Sequence, residues 1–236
     1  LVPVGWPANS WPIANGNGTV TLEMHCPTLP LRETPEEPIR TDFETSQLGL
    51  SWNYIQTPEA DNYSLSERKG YLRLKGASNQ IGENGSPTFL GRRLQDVNFS
   101  ATTVIDFNPK SENEEAGMTL VNNGTHFDLL ITKHGKERVV RVKLQFGTNI
   151  YKSKALPLKP GSVKLRIVGD TNNFKFLFAQ GNDDFEQVDS VLTTYLSSET
   201  AGGYTGVFVG LYASGNGKKC SANADFDWFE YSEKEN

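Results

Sequence analysis

Cysteine is nearly absent. Cys26 and Cys220 are the only two in 236 residues, which excludes a disulfide scaffold and leaves either one bridge or two buried thiols. Histidine is as scarce: His25, His126 and His134 stand apart, in no HExxH or comparable metal spacing. No apolar run approaches the roughly 20 residues of a membrane helix. An excess of positive charge is lacking too, since 23 Lys+Arg against 28 Asp+Glu give a net charge of −5; that balance speaks against nucleic acid as a partner. There is no GxSxG elbow. The segment Gly215-Asn216-Gly217-Lys218-Lys219 lacks the Ser or Thr and the following helix of a phosphate loop, so it reads as a hairpin tip.

What the chain does have is turn residues and flat side chains: 22 Gly, 12 Pro, 13 Phe, 8 Tyr and 4 Trp. That mixture favours β structure. Residues 1–38 read as an arm or linker stiffened by prolines. Within it, Asn15-Gly16-Asn17-Gly18 is a turn and Thr19–Met24 alternates like a short strand. From Ile39 onward short alternating runs recur between turn residues. The candidate strands are Arg40–Phe43, Tyr71–Lys75, Thr88–Arg93, Ala101–Phe107, Ala116–Val121 and Phe127–Lys133, then Arg138–Phe146, Lys164–Val168, Lys175–Ala179, Val207–Tyr212 and Asp225–Tyr231. Asn122-Asn123-Gly124 and His134-Gly135-Lys136 supply the positive-φ residues of tight hairpins. Val163, Leu165 and Ile167 should face one way, Lys164 and Arg166 the other. With no convincing amphipathic helix and no fixed-period repeat, the expected fold is all-β: an antiparallel β-sandwich over residues 39–236.

Two acidic pairs, Asp42/Glu44 and Asp225/Asp227, lie two apart on strands, about 7 Å from one another on one face. That separation is within the range used for glycoside hydrolysis, but a solvated face, or a calcium site built on Asp42 and Asp225 between terminal strands, is the plainer account. No cofactor is called for beyond such a structural cation. Trp52, Tyr54, Tyr63, Tyr151, Tyr204 and Tyr212 are the aromatics able to stack on a ligand, with core packing the competing role for each. Arg92 and Arg93, following Phe89, are candidates for a carboxylate or a neighbouring domain.

Six segments, in order, resemble one family: Asp42-Phe43-Glu44, Leu48-Gly-Leu-Ser-Trp-Asn53, Ser86-Pro-Thr-Phe-Leu-Gly-Arg-Arg93, Ala116-Gly-Met118, Tyr204-Thr-Gly-Val-Phe-Val-Gly-Leu-Tyr212 and Ala224-Asp-Phe-Asp-Trp-Phe-Glu-Tyr231. The set is similar to the C-terminal concanavalin-like β-sandwich of family 43 glycoside hydrolases, the β-xylosidase and α-L-arabinofuranosidase type. Val4-Gly-Trp-Pro7 and Asn15–Leu31 resemble the join that leaves the catalytic propeller in those enzymes.

The resemblance implies a partner, a five-bladed catalytic propeller of the same polypeptide, and a xylo- or arabino-oligosaccharide substrate. It implies that the catalytic carboxylates lie on that propeller, so no catalytic residue falls in this chain, which alone is expected to be inactive. It also places Tyr204 at the rim of the sugar pocket, where the family usually has Phe, with Phe89, Arg92 and Arg93 as possible sugar or domain contacts. The alternatives are an independent carbohydrate-binding module, and a sandwich catalytic in itself through two carboxylates on adjacent strands. The chain begins at Leu1 with no charged-then-apolar leader, so it reads as a processed product or a piece of something longer. A secreted or periplasmic setting is favoured over the cytoplasm.

Overall fold

The computed structural model describes residues 2–24, 30, 38–204 and 206–234. They fall into two units, Leu1–Glu37 and Pro38–Asn236. In the first, β1 (Val4–Gly5) pairs antiparallel with β2 (Ile13–Ala14), and Asn15 closes the end by donating its N–H to the Pro3 carbonyl at 2.8 Å. Asn15, Gly16 and Gly18 adopt positive φ, as the turn chemistry of that segment demands. The strand expected over Thr19–Met24 is not formed. Its apolar positions Val20 and Leu22 are exposed, and without a partner strand an alternating run has nothing to pair with. Cys26 and His25 lie outside the described residues.

The second unit begins with the short strands β3 (Arg40–Thr41) and β4 (Tyr63–Ser64), then β5 (Leu72–Lys75) and β6 (Thr88–Arg93). The long strands follow: β7 (Phe99–Phe107), β8 (Glu115–Asn122), β9 (Thr125–His134) and β10 (Glu137–Phe146). After them come β11 (Asn149–Lys152), β12 (Leu156–Pro157), β13 (Val163–Gly169), β14 (Asn173–Ala179) and β15 (Glu186–Leu192). A 3-10 turn (Thr193–Leu196) and the four-residue helix α1 (Ser198–Ala201) lead to β16 (Phe208–Ser214) and β17 (Asn223–Glu233).

These strands form two antiparallel sheets. One has the order β11-β10-β9-β8-β16-β6, with β12 also on β10; the other has β15-β14-β13-β7-β17-β5-β4, with β3 on β17. The core between them takes alternate residues from each: Met118, Leu120, Leu129 and Val142 from the first sheet, Val163, Leu165, Ile167 and Phe226 from the second. Lys164 and Arg166 turn the other way, half-buried, as the period of two requires.

The segment Gly215–Lys219 is not a hairpin tip. It joins β16 of one sheet to β17 of the other, hooked onto residues 76–78 by Gly215 N–H to Ala77 O and Cys220 N–H to Gly76 O. Two strands in different sheets cannot share a ladder, so the turn residues here serve a crossover. Cys220 is a free, half-buried thiol; burial pushes it up to about 12, which leaves it protonated and unreactive. Among the described residues no helix is long and apolar enough to cross a membrane.

Candidate functional site

The β8–β9 turn organises one end of the seven-stranded sheet. Asn123 and Gly124 both adopt positive φ, 46° and 84°, the pair that a two-residue hairpin needs. The two asparagines of that turn then tie down the segment entering β16. Asn122 donates from Nδ2 to the Leu196 carbonyl at 2.8 Å, and Asn123 from Nδ2 to the Ala201 carbonyl at 3.2 Å. Beyond Ala201 the chain turns through Gly202, Gly203 and Gly206, all near φ +75°, a left-handed run that side chains resist. The result is a tethered loop whose tip, Tyr204, is wholly solvent-exposed at 104% of reference.

At the foot of this loop lies an open pocket of about 350 Å³. Phe89, Val121 and Phe208 line it from the face of the seven-stranded sheet turned away from the core; Tyr54–Gln56, Ile81–Asn84, Asn123–Gly124 and Gly206 complete it. Ile81 packs with Phe89, Val121, Leu130 and Tyr212 in a second, smaller apolar cluster, so the segment around it covers part of that outer face.

The sequence-derived residues distribute unevenly. Along β6 the alternation sends Phe89 and Arg93 to the outer face and Leu90 and Arg92 inward. Phe89 joins the pocket but is itself 1% exposed. The exposed Arg93 guanidinium stacks on the Phe208 ring at 4.8 Å, whereas Arg92 is buried over the Tyr231 ring at 5.1 Å. Of the six aromatics considered, Trp52 and Tyr212 are core residues, Tyr63 is half-buried, and Tyr54, Tyr151 and Tyr204 reach solvent.

Asp42 and Asp225 do not join this end. Asp42 accepts from Arg40 Nε at 2.5 Å. Asp225, buried on the eight-stranded sheet, accepts from Arg73 Nε at 2.7 Å, Arg73 Nη2 at 2.8 Å and Arg68 Nη1 at 2.8 Å. Burial pushes the Asp225 carboxyl up, but those guanidiniums outweigh it and hold it below the usual range. A cation there would have to displace two arginines. Among the described residues no three His, Cys, Asp or Glu side chains are placed to hold a metal. The pairing of β17 with β7 shifts register between Phe226 and Phe229, interrupting the plain alternation expected across Asp225 and Asp227.

One group escaped the sequence reading. On the outer face of the seven-stranded sheet, Asp128 is fully buried and accepts from Thr119 Oγ1 at 2.7 Å. His126 Nδ1 lies 2.9 Å from both its oxygens, and Lys143 Nζ is 3.2 Å away and also paired to Glu115. Tyr212 donates to Glu115 Oε1 at 3.3 Å. Desolvation pushes the Asp128 carboxyl up, but His126 and Lys143 outweigh it and hold it low; the same carboxylates raise Lys143 against its own burial. Glu115 and Asp128 are thus two carboxylates on adjacent strands, both paired with Lys143. Asp128 is held ionised by these partners and is not poised to exchange a proton.

Two antiparallel sheets packed face to face over one core define a β-sandwich domain. Residues 40–232 match the family described as the beta xylosidase C-terminal Concanavalin A-like domain, and the chain belongs to that family, a C-terminal domain of family 43 glycoside hydrolases. It is 38% identical to the non-reducing end alpha-L-arabinofuranosidase BoGH43B of Bacteroides ovatus, over 98% of this chain and 44% of that protein. It is 29% identical to a xylosidase/arabinosidase of Butyrivibrio fibrisolvens, over 99% of this chain and 46% of the relative. Among solved structures, the GH43B protein of a Bacteroides ovatus xyloglucan PUL superposes with a TM-score of 0.90 at 37% identity, covering 99% of this chain and 46% of that one. The xylan beta-1,4-xylosidase of Bacillus halodurans C-125 gives 0.89 at 27% identity, covering 98% and 46%. The chain thus spans less than half the length of these relatives.

Proposed function

We propose that this chain is the accessory domain of a xylan- or arabinan-degrading glycosidase, packed on a catalytic propeller of the same polypeptide, with Tyr204 closing the rim of the sugar pocket. The observation that carries this reading is Tyr204 itself. Its ring is wholly exposed at the tip of a loop that two asparagine amides hold in place. A large flat side chain held out in water gains nothing for the domain that carries it; the same ring set against a second surface buries apolar area and excludes water from whatever it covers. Catalysis belongs to the other domain; on this sandwich Glu115, Asp225 and Asp42 are tied up by Lys143, Arg68, Arg73 and Arg40.

The test is hydrolysis of aryl β-xyloside and aryl α-L-arabinofuranoside by this chain, with and without the separately expressed upstream region. Activity is expected only with that region present. Tyr204→Ala should then lower kcat/KM about tenfold or more, since a misplaced rim costs positioning, and Tyr204→Phe should retain most of it. Hydrolysis by the 236-residue chain alone, or indifference to Tyr204→Ala, overturns the reading.

A further inference from the structure

The pocket at the foot of the Tyr204 loop has a composition of its own. Flat or branched apolar side chains form one part of its wall: Tyr54, Val121 and Phe208. Polar residues form the other: Gln56, Asn84 and Glu83, whose Oε2 accepts from the Gln80 N–H at 2.8 Å. The Gln56 and Tyr54 side chains are both exposed to solvent. Gln56 also holds a left-handed backbone, φ 57°, which a glutamine adopts only at a cost.

That lining restricts the ligand by charge and polarity. No Lys, Arg or His lines the pocket while Glu83 does, so an anion would be repelled. A purely apolar molecule would strip water from Gln56, Asn84 and Glu83 and return no hydrogen bonds. A neutral polyol satisfies both halves: ring C–H faces against Tyr54 and Phe208, hydroxyl edges against the amides and the carboxylate.

We propose that this pocket binds a neutral sugar unit, so that the sandwich holds saccharide on its own surface. The sugar class rests on the function proposed above. Gly206 belongs both to the pocket wall and to the Tyr204 loop, and Asn123 lines the pocket while its amide holds that loop at Ala201, so an occupied pocket also steadies the loop. A small, solvent-open site of this kind binds a monosaccharide at a Kd in the millimolar range.

The experiment is a titration of the 236-residue chain with methyl β-xyloside, arabinose and xylobiose, followed by amide chemical shifts. Saturable shifts are expected at Gln56, Asn84, Asn123 and Gly206. Gln56→Ala, which removes an exposed amide and leaves the fold intact by circular dichroism, should weaken binding about fivefold. Ile150→Ser on β11 should leave it unchanged. The proposal is overturned by the absence of saturable shifts, by shifts confined elsewhere, or by affinity indifferent to Gln56→Ala. It is equally overturned if sugars do nothing while the upstream polypeptide shifts these amides, because the pocket then receives protein. Loss of sugar binding with Tyr204-dependent hydrolysis intact removes this inference alone; sugar binding with hydrolysis indifferent to Tyr204 removes the rim reading alone.

Discussion

Asn122 and Leu196 are joined by a 2.8 Å hydrogen bond from the buried amide Nδ2 to the main-chain carbonyl. This bond ties the end of β8 to the 3-10 turn that precedes the Tyr204 loop. The other atom of the amide, Oδ1, is buried with no partner, so the residue is held there at a cost in desolvation. Its donor is what the structure uses.

Asn122→Ala should therefore destabilise the chain by about 1–3 kcal/mol by urea denaturation, and speed amide exchange over residues 193–204 more than over β8. Asn122→Asp should cost more than Ala, because it loses the donor and buries a charge beside the Leu196 carbonyl. Equal exchange in all three proteins would mean that the loop is held by its glycine backbone and not by the amide.

Much of the fold was legible because its cause is local. Thr88–Arg93 is bounded to the residue, and the alternation over Lys164–Val168 finds β13 to within one residue at each end. The short strands β4, β11 and β12 were missed because two to four residues carry no period, and β15 because it is largely exposed. The site divides the same way. Tyr204 came from a motif, while the Asp128 cluster joins four strands across the sheet and leaves only His126-Phe127-Asp128 as a local trace. The pocket could not be read at all: Gln56, Asn84 and Gly206 are far apart in sequence and meet only through loop geometry.

The Asp128 cluster predicts an acid limb. An unfolded aspartate titrates near 3.9, and in the fold Asp128 is held at about 2: burial alone would raise it, but His126 and Lys143 prevail. A depressed carboxylate contributes stability that is fully present above about pH 4 and is lost as pH falls toward about 2. Asp128→Asn should flatten that limb in urea titrations. At neutral pH it should cost about 3–5 kcal/mol, because Lys143 is left buried with only Glu115. An unchanged acid limb in the variant would place the acid sensitivity elsewhere.

Calcium is expected to have no effect on the second unit. The Asp225 oxygens receive three hydrogen bonds from Arg68 and Arg73, and Arg40 holds Asp42. Thermal unfolding should give the same Tm in chelator and in excess calcium. A rise with calcium would mean that the ion displaces the guanidiniums, and Arg73→Ala would then strengthen its binding.

Tyr204 and Tyr212 stand eight positions apart at the start and end of one motif, yet their environments are opposite: 104% and 2% exposed. Tyr212 packs with Phe89 and donates to Glu115, so Tyr212→Ala should destabilise by about 3–5 kcal/mol, as for other buried aromatics. Tyr204→Ala removes nothing the free domain uses, and its Tm should move by no more than about 1 °C. The contrast separates two uses of an aromatic side chain, one paid back inside the fold and one available only to a second surface. If Tyr204→Ala lowers the Tm of the isolated chain by several degrees, the ring packs against its own domain in solution, and its place at the rim of a sugar pocket falls with that result.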